Sequence, residues 1–316
     1  MTSSLLENPP RYLEFYETRR KEFLNRIDFA KELLKSCKVC PRECFIDRYH
    51  KFGFCRIGTK ARVSSFFPHF GEEDCLRGWN GSGTIFFTMC NLRCVFCQNY
   101  EISQNIDFAS REITSEELAN IMLYLQSRGV HNINFVSPDH VVPQILEAIF
   151  FAIQKGLRIP LVYNSNAYTS KISLELLDGI IDIYMPDFKF WSEDASKFYL
   201  KSETYPNVAR NAILEMYKQV GDFEVDPFGI AIKGLLVRHL VMPNFIEDSK
   251  KILDFLSKVS KNIYLNIMAQ YKPANKVPRR KDLYAKINRT IFLEEYREVV
   301  EYAYSLGFRN IDHHNI

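Results

Sequence analysis

Thr84-Ile85-Phe86-Phe87-Thr88-Met89-Cys90-Asn91-Leu92-Arg93-Cys94-Val95-Phe96-Cys97 joins an apolar, strand-like run to a loop with the spacing C-x3-C-x2-C. Three thiolates on one short loop can each bind a different iron of a cubane cluster. Because such a cluster has four irons, one iron stays open to a small ligand and to chemistry. The alternative is a zinc site completed by a distant Cys or His.

Beyond Gly83 the chain alternates between strand-like and helix-like segments. We predict strands at 84–89, 132–136, 159–163, 180–185, 234–241, 263–268 and 308–312, with helices at 115–127, 142–154, 174–177, 207–217, 248–259 and 293–306. Several strands are continuous apolar runs, which is typical of parallel strands covered on both faces. Six or seven such β–α units predict an α/β fold, either a full or partial (β/α) barrel or a doubly wound sheet.

The region before this repeat has a different character. Residues 10–36 read as an amphipathic helix, and Cys37 to Asn80 is loop-rich with several glycines. We therefore predict a small N-terminal Cys-rich cap over residues 1–80 and a core domain over 81–316.

The cap carries a second cysteine set with the spacing Cys37-x2-Cys40-x3-Cys44-x10-Cys55. Four thiols are a complete ligand set for zinc or for an auxiliary Fe–S cluster. A structural metal, an electron-relay cluster and free thiols or disulfides remain open. Cys75 stands alone, and a lone cysteine usually packs as a small buried hydrophobe.

Composition excludes several classes of protein. The 316 residues are 47% hydrophobic and 25% charged, which excludes wholesale disorder, and 41 Lys and Arg against 38 Asp and Glu leave a net charge of +3, too small to indicate nucleic acid. No apolar run approaches the length of a membrane span, and the start lacks a secretory signal. All eight cysteines precede residue 98, and this clustering favours metal or Fe–S chemistry in a reducing, cytoplasmic compartment.

The cysteine loop resembles the signature of the radical S-adenosylmethionine (radical SAM) enzymes, C-x3-C-x-aromatic-C, with Phe96 at the aromatic position. The resemblance implies a partial (β/α)6 barrel and a [4Fe–4S] cluster on Cys90, Cys94 and Cys97. It also implies that S-adenosylmethionine chelates the open iron and is cleaved reductively to a 5′-deoxyadenosyl radical.

Three further stretches resemble the glycyl-radical-enzyme activases. Asn164-Ser165-Asn166, Met185-Pro186-Asp187-Phe188-Lys189 and Arg238-His239-Leu240-Val241-Met242-Pro243 each follow a predicted strand, where such barrels carry their catalytic groups. Carried across, the resemblance implies that the methionyl and ribose parts of the cofactor meet Ser165, Asp187 and Lys189, with Asn164, Phe96 and Arg238 nearby. Each residue taken singly is equally compatible with a surface polar group or a helix cap.

One departure separates the chain from true activases. Their Gly-Gly-Glu is replaced by Ser137-Pro138-Asp139-His140, in which Ser137 or Asp139 can accept the cofactor's ammonium hydrogen bonds or Asp139 can cap the next helix. From about Cys37 onward the chain is most similar to uncharacterised homologues of pyruvate formate-lyase activating enzyme.

These features predict a radical SAM oxidoreductase that receives electrons from flavodoxin or ferredoxin. Its unidentified substrate is a protein glycine, another peptide or a small metabolite. The alternative is a non-catalytic iron–sulfur or zinc protein that scaffolds a partner. We expect Glu72 and Glu73 to lie on a solvated turn; the alternative is that one of them faces the cavity as a proton or substrate group. The basic stretch Tyr271–Arg289 is expected to be a solvated loop or a site for acidic or phosphate-bearing partners. His313-His314 is not expected to bind metal.

Overall fold

The computed structural model describes residues 9–313, so His314 lies outside the described residues. The helices are α1 (Arg11–Glu32), α2 (Asp74–Arg77), α3 (Tyr100–Gln104), α4 (Ser115–Ser127), α5 (Val142–Gln154), α6 (Lys171–Leu177), α7 (Glu193–Ala195), α8 (Tyr205–Val220), α9 (Ile246–Val259) and α10 (Leu293–Ser305). A π-helical turn (Ser196–Leu200) and a 3-10 turn (Ala285–Ile287) complete the helical elements. The strands are β1 (Ala61–His69), β2 (Ser82–Phe87), β3 (Arg111–Ile113), β4 (Ile133–Val136), β5 (Leu161–Ser165), β6 (Ile183–Pro186), β7 (Glu224–Val225), β8 (Ala231–Leu240), β9 (Tyr264–Met268) and β10 (Asn310–His313).

The order of the parallel strands decides between the two predicted architectures. Strands β2, β4, β5, β6, β8, β9 and β10 pair in parallel and in chain order. A doubly wound sheet reverses its strand order at a switch point, and this sheet has no such reversal. The sheet path runs from β10 to β3 without closing. The fold is therefore the predicted partial (β/α) barrel, with seven parallel strands in the part of the chain that the structure describes.

The expectation of a loop-rich segment up to Asn80 is wrong for residues 61–69, which form β1. This strand pairs antiparallel with β2 on one side and with β3 on the other. Its faces are only partly covered, and Phe66 and Phe67 are exposed. A strand whose faces are partly exposed does not need a continuous apolar run. Residues 61–69 therefore lack the apolar run that predicts a buried strand. The boundary at residue 80 stays a prediction, although β1 belongs to the same sheet as the core strands.

Helices cover the outer face of the barrel. The predicted cap of α4 is present, because Thr114 Oγ1 accepts from Glu117 N at 3.2 Å and Glu117 Oε2 accepts from Thr114 N at 2.8 Å. Helix α5 is buried at ten of its 13 residues because both α4 and α1 pack against it. Phe23 of α1 meets Phe150 of α5 edge-on at 5.4 Å between ring centroids. The N-terminal helix thus belongs to the barrel's outer layer.

A smaller apolar cluster fills the inside of the barrel. It joins side chains of β5, β6 and β8 to two residues of α2, namely Val162, Ile183, Met185, Leu236, Cys75 and Leu76. Cys75 is buried, as predicted for a lone thiol. The inside of the barrel is therefore filled by packed apolar side chains at this cluster.

Asp182, directly before β6, ties three elements together. Its Oδ1 accepts from the backbone N of Arg11 at 2.7 Å, and its Oδ2 accepts from the backbone N of Leu161 at 2.8 Å. Burial raises the pKa of Asp182 to about 7, although both hydrogen bonds and Arg11 oppose that shift. The folded protein therefore holds a proton here at a pH where the unfolded chain has released it.

We predict a pH-dependent difference in stability between wild type and Asp182→Asn. Because the folded pKa of about 7 exceeds the unfolded value of about 3.9, the contribution of Asp182 is greatest below pH about 4 and is lost as the pH rises to about 7. Urea unfolding across this range should show the wild type losing stability relative to the variant, by up to about 1.4 kcal/mol per pH unit. Parallel profiles for the two proteins would contradict the raised pKa.

Candidate functional site

A cavity of about 860 Å³ opens at the carboxyl ends of the parallel strands. Each of the strands β2, β4, β5, β6, β8 and β9 contributes side chains to it, either from its last residues or from the loop that follows. The cavity brings together all but one of the predicted cofactor and cluster residues, namely Cys90, Cys94, Phe96, Cys97, Ser137, Asn164, Ser165, Asp187, Lys189 and Arg238. Asp139 is the exception.

Backbone strain concentrates at this rim. Met89, Ser137 and Ala167 follow β2, β4 and β5, and all three have positive φ angles, of 67°, 56° and 62°. Such conformations cost residues other than glycine roughly 1–3 kcal/mol each. They turn the chain sharply at three neighbouring strand ends. Met89 directly precedes Cys90, Ser137 itself lines the cavity, and Ala167 directly follows the Asn164–Asn166 turn.

The three loop thiols line one wall of the cavity. Cys90 Sγ accepts from the backbone N of Leu92 at 3.3 Å and from Asn166 Nδ2 at 3.2 Å, and Cys97 Sγ lies 3.2 Å from Ser103 Oγ. Burial raises the pKa of the Cys90 thiol to about 12 and also raises the pKa of Cys94, which Lys189 opposes. Buried thiolates therefore need a positive partner, and a cationic iron–sulfur core is one.

Among residues 9–313, no group of three or more His, Cys, Asp or Glu side chains is arranged to hold a single metal ion. A cubane cluster takes one thiolate for each iron and has no need of such a group. The Cys90, Cys94 and Cys97 donor set fits that cluster.

Asn166 is a site residue for which no role was predicted from the sequence. Besides its bond to Cys90 Sγ, its Nδ2 donates to Asn91 Oδ1 at 2.8 Å, and Asn91 Nδ2 donates to the Tyr168 carbonyl at 2.6 Å. This network fixes the cysteine loop against the turn after β5. The signal was available, since Asn166 stands beside Asn164 and Ser165 in the motif.

Asp139 lies beneath the cavity, fully buried. Ser165 Oγ donates to Asp139 Oδ1 at 2.7 Å, Thr169 Oγ1 donates to the same oxygen, and Asn166 N donates to Oδ2 at 3.4 Å. Burial raises the pKa of Asp139 to about 6, against these hydrogen bonds. Helix α5 has Val141 as its N-cap, without a side-chain cap bond, so Asp139 supports the β5 turn and does not cap α5.

Asp187 and Lys189 form an ion pair at the end of β6. Lys189 Nζ donates to Asp187 Oδ2 at 2.6 Å, and both side chains line the cavity. Burial lowers the pKa of Lys189, but the Asp187 carboxylate and the Cys94 thiolate more than offset this and hold it above its usual range. Tyr205 steadies the pair, because its O–H donates to the Asp187 carbonyl and its oxygen accepts from the Lys189 N. The cavity thus keeps a fixed carboxylate and ammonium beside the thiols.

The expectation that Glu72 and Glu73 lie on a solvated turn is wrong. Arg238 donates from Nε to Glu73 Oε1 at 2.7 Å and from Nη2 to Glu73 Oε2 at 2.8 Å, and it also pairs with Glu72. Asn266 Nδ2 donates to Glu73 Oε1 at 2.7 Å. The partners come from β8 and β9, more than 160 residues away, so local sequence could not reveal them.

The side chains of this acidic cluster are largely buried. Burial would raise the pKa of Glu73, but Arg238 and Asn266 lower it to about 2. Two carboxylates share one guanidinium, so the cluster retains a surplus negative charge beside the cavity. The resemblance predicts Arg238 near the cofactor, and its guanidinium is paired with Glu72 and Glu73.

Comparisons with known proteins assign the chain to a family. The Radical SAM superfamily profile matches residues 84–316. An uncharacterized protein of Methanocaldococcus jannaschii is 34% identical over 285 residues, which cover 88% of this chain and 77% of the relative. The crystal structure of Streptococcus suis SuiB bound to S-adenosylmethionine has a TM-score of 0.45 at 12% identity; the match covers 72% of this chain and 45% of that one, so the chain spans under half the length of SuiB. The chain belongs to the radical SAM superfamily.

Proposed function

We propose that the protein is a radical SAM enzyme that abstracts hydrogen from an unidentified substrate. The observation that carries the proposal is one cavity that combines Cys90, Cys94 and Cys97 with the Asp187–Lys189 ion pair. When bound there, a [4Fe–4S] cluster on the three cysteines supplies the electron that cleaves S-adenosylmethionine to a 5′-deoxyadenosyl radical.

The chain's own residues bind and orient the cofactor. Asp187 can accept hydrogen bonds from ribose hydroxyls, and Lys189 can donate to a carboxylate. Ser137 and Asn164 face the same space and offer hydroxyl and amide groups to an ammonium. Ser165 is already engaged by Asp139, Ala167 N and Thr169, so we assign it to holding the β5 turn as well as to lining the site. Phe96, packed against Phe190 and Tyr271, forms an apolar part of the wall.

We infer that the substrate meets the part of the cavity wall formed by Glu72, Glu73, Arg238 and Asn266. These groups line the cavity together with Asp312. The surplus negative charge favours a substrate that presents hydrogen-bond donors or a positive group. An activase-like action on a protein glycine and abstraction from a metabolite or another peptide are both compatible with this wall.

We place the docking site of an acidic electron donor, such as flavodoxin or ferredoxin, on the basic segment over the cysteine loop. Lys276 N donates to the Val95 carbonyl at 3.0 Å, and Asn275 Nδ2 donates to the Cys94 carbonyl at 3.2 Å. The exposed cations of this segment are Lys272, Lys276, Arg279, Arg280, Lys281 and Lys286. Opposite charges steer such encounters, and this segment touches the proposed cluster loop directly.

A reducing compartment suits this chemistry, and we propose the cytoplasm. All eight cysteines are free thiols. No helix among residues 9–313 has the length and apolar character that crossing a membrane requires.

One prediction of this proposal concerns cofactor binding and turnover. With dithionite, anaerobically reconstituted protein should release methionine and 5′-deoxyadenosine slowly even without substrate. Asp187→Ala and Lys189→Ala each remove hydrogen bonds to charged groups, worth roughly 1.5–3 kcal/mol, so cofactor affinity should fall about 10- to 150-fold with the cluster spectrum unchanged. Lys233→Ala, which breaks an exposed ion pair with Glu224 elsewhere, is the matched control.

Two outcomes would contradict this account. Wild-type affinity in both variants would remove the cofactor role of the β6 pair. Absence of any nucleoside product from wild type under every reductant would favour the non-catalytic scaffold. With a candidate glycyl-radical protein added, a glycyl doublet in the electron paramagnetic resonance spectrum would identify the activase subclass.

A second prediction concerns Arg238. Arg238→Met keeps much of the side-chain volume but leaves two buried carboxylates without their cation. Breaking a buried ion pair in this way typically costs about 3–5 kcal/mol, so the urea midpoint should drop sharply. The double change Glu72→Gln with Glu73→Gln in the Arg238→Met background should recover part of the loss. An unchanged midpoint in Arg238→Met would contradict the buried cluster.

A third prediction concerns the electron donor. Lys276→Glu with Arg280→Glu should slow cluster reduction by flavodoxin and weaken its salt dependence, because both reverse charges on the proposed docking segment. Reduction by dithionite should not change. Lys155→Glu, between α5 and the start of β5 at the opposite end of the barrel, is the control. Equal effects of both reversals would exclude this docking site.

A further inference from the structure

We propose that Cys37, Cys40, Cys44 and Cys55 bind a second iron–sulfur cluster, a [4Fe–4S] core with one thiolate on each iron, and that buried Arg48 is its counter-cation. The inference concerns the N-terminal cap and does not depend on the proposed reaction. A single zinc ion does not fit, because no group of three or more His, Cys, Asp or Glu side chains among residues 9–313 is arranged to hold one ion. A cubane cluster takes one thiolate for each iron and has no need of such a group.

The four thiols lie in a segment without helix or strand. Cys37, Cys40 and Cys55 are buried and Cys44 is half-buried. The chain folds back on itself here, because the backbone N of Phe45, next to Cys44, donates to the Cys37 carbonyl at 3.1 Å. Residues 38–60 contain no α-helix or β-strand. Such a segment has little regular hydrogen bonding to hold it, and metal-binding free energy can act there as folding energy.

The backbone turns tightly around these thiols. Glu43, Phe45 and Arg56 have positive φ angles of 40°, 52° and 54°. A side chain at Gly53 would place its Cβ 3.0 Å from Cys44 Sγ. Non-glycine residues in this conformation store strain that something in the surroundings must offset. The turns and the close approach at Gly53 are those of a chain wrapped around a compact group.

Arg48 supplies the independent observation. It is only 3% exposed, donates to the carbonyls of Gly58 and His140 at 3.0 Å and 2.9 Å, and has no carboxylate partner in the part of the chain that the structure describes. Its Nη2 is buried without a hydrogen-bond partner. Nη1 lies 4.0 Å from Cys37 Sγ, and the guanidinium also interacts electrostatically with Cys55.

A buried charge is costly unless it is paired. Four thiolates carry four negative charges, and an oxidised [4Fe–4S] core carries two positive ones. The assembled centre therefore keeps two negative charges, one of which the Arg48 guanidinium offsets. A cap with four neutral thiols would leave Arg48 buried without any counter-charge.

The proposed centre also contacts the loop of Cys90, Cys94 and Cys97. Arg42 Nε donates to the Asn91 carbonyl at 2.8 Å, and Arg93 Nη2 donates to the Phe54 carbonyl at 2.8 Å. Both guanidinium groups lie over the Phe54 ring, at 4.1 Å and 4.5 Å from its centroid. Phe54 precedes Cys55, so the second centre positions the loop of the first.

The experiment isolates the second centre in the full-length chain. The triple variant Cys90→Ser, Cys94→Ser, Cys97→Ser, purified anaerobically and supplied separately with iron plus sulfide and with zinc, should still bind four irons with four sulfides. Retention of no iron and sulfide would overturn the proposal, and so would one bound zinc in place of a cluster. Cys75→Ser in the same background is the control for an unrelated buried thiol and should not change the metal content.

Arg48 is tested in that triple-variant background by release of metal to a chelator. Arg48→Gln keeps hydrogen-bonding capacity but removes the charge, and we expect about tenfold faster release or more, since hydrogen bonds to charged groups contribute roughly 1.5–3 kcal/mol. Arg48→Lys restores the charge and should recover much of the retention. Equal release from Arg48→Gln and its parent would refute the counter-cation role. These measurements use no reductant and no S-adenosylmethionine, so failure of the proposed reaction would not affect them.

Discussion

Parallel pairing of the strands in chain order is the constraint on which the site depends. Because β2, β4, β5, β6, β8 and β9 run in the same direction, their carboxyl ends meet at one rim. Residues separated by more than 150 positions in the sequence thereby share one cavity, from Cys90 to Asn266. Helices α1 and α5 and the apolar cluster inside the barrel keep that rim in place.

The sequence predicted the parts of this site that are local. The Cys90–Cys97 spacing and the Asp187–Lys189 motif each lie within one loop or strand end, where side-chain order determines what faces the cavity. The repeated β–α pattern predicted the class of fold, although periodicity alone could not separate a barrel from a doubly wound sheet. Strand order decided that question, and strand order is a long-range property.

What the sequence could not predict depends on distant partners. Glu72 and Glu73 read as a solvated turn until β8 and β9 bring Arg238 and Asn266 to them. Strand β1 was missed because its partly exposed surface leaves no continuous apolar run. Asp139 is chemically suited to the cofactor, yet its lone pairs are taken by Ser165, Thr169 and Asn166.

The account rests on the claim that the open iron of a cluster on Cys90, Cys94 and Cys97 binds S-adenosylmethionine within this cavity. Electron–nuclear double resonance of the reduced protein with S-adenosylmethionine labelled with ¹⁵N at its amino group tests that claim directly. We expect a ¹⁵N coupling in the spectrum when labelled S-adenosylmethionine is added, and no ¹⁵N coupling when unlabelled S-adenosylmethionine is added. Bound cofactor without any such coupling would show that it lies away from the iron, and would contradict the account.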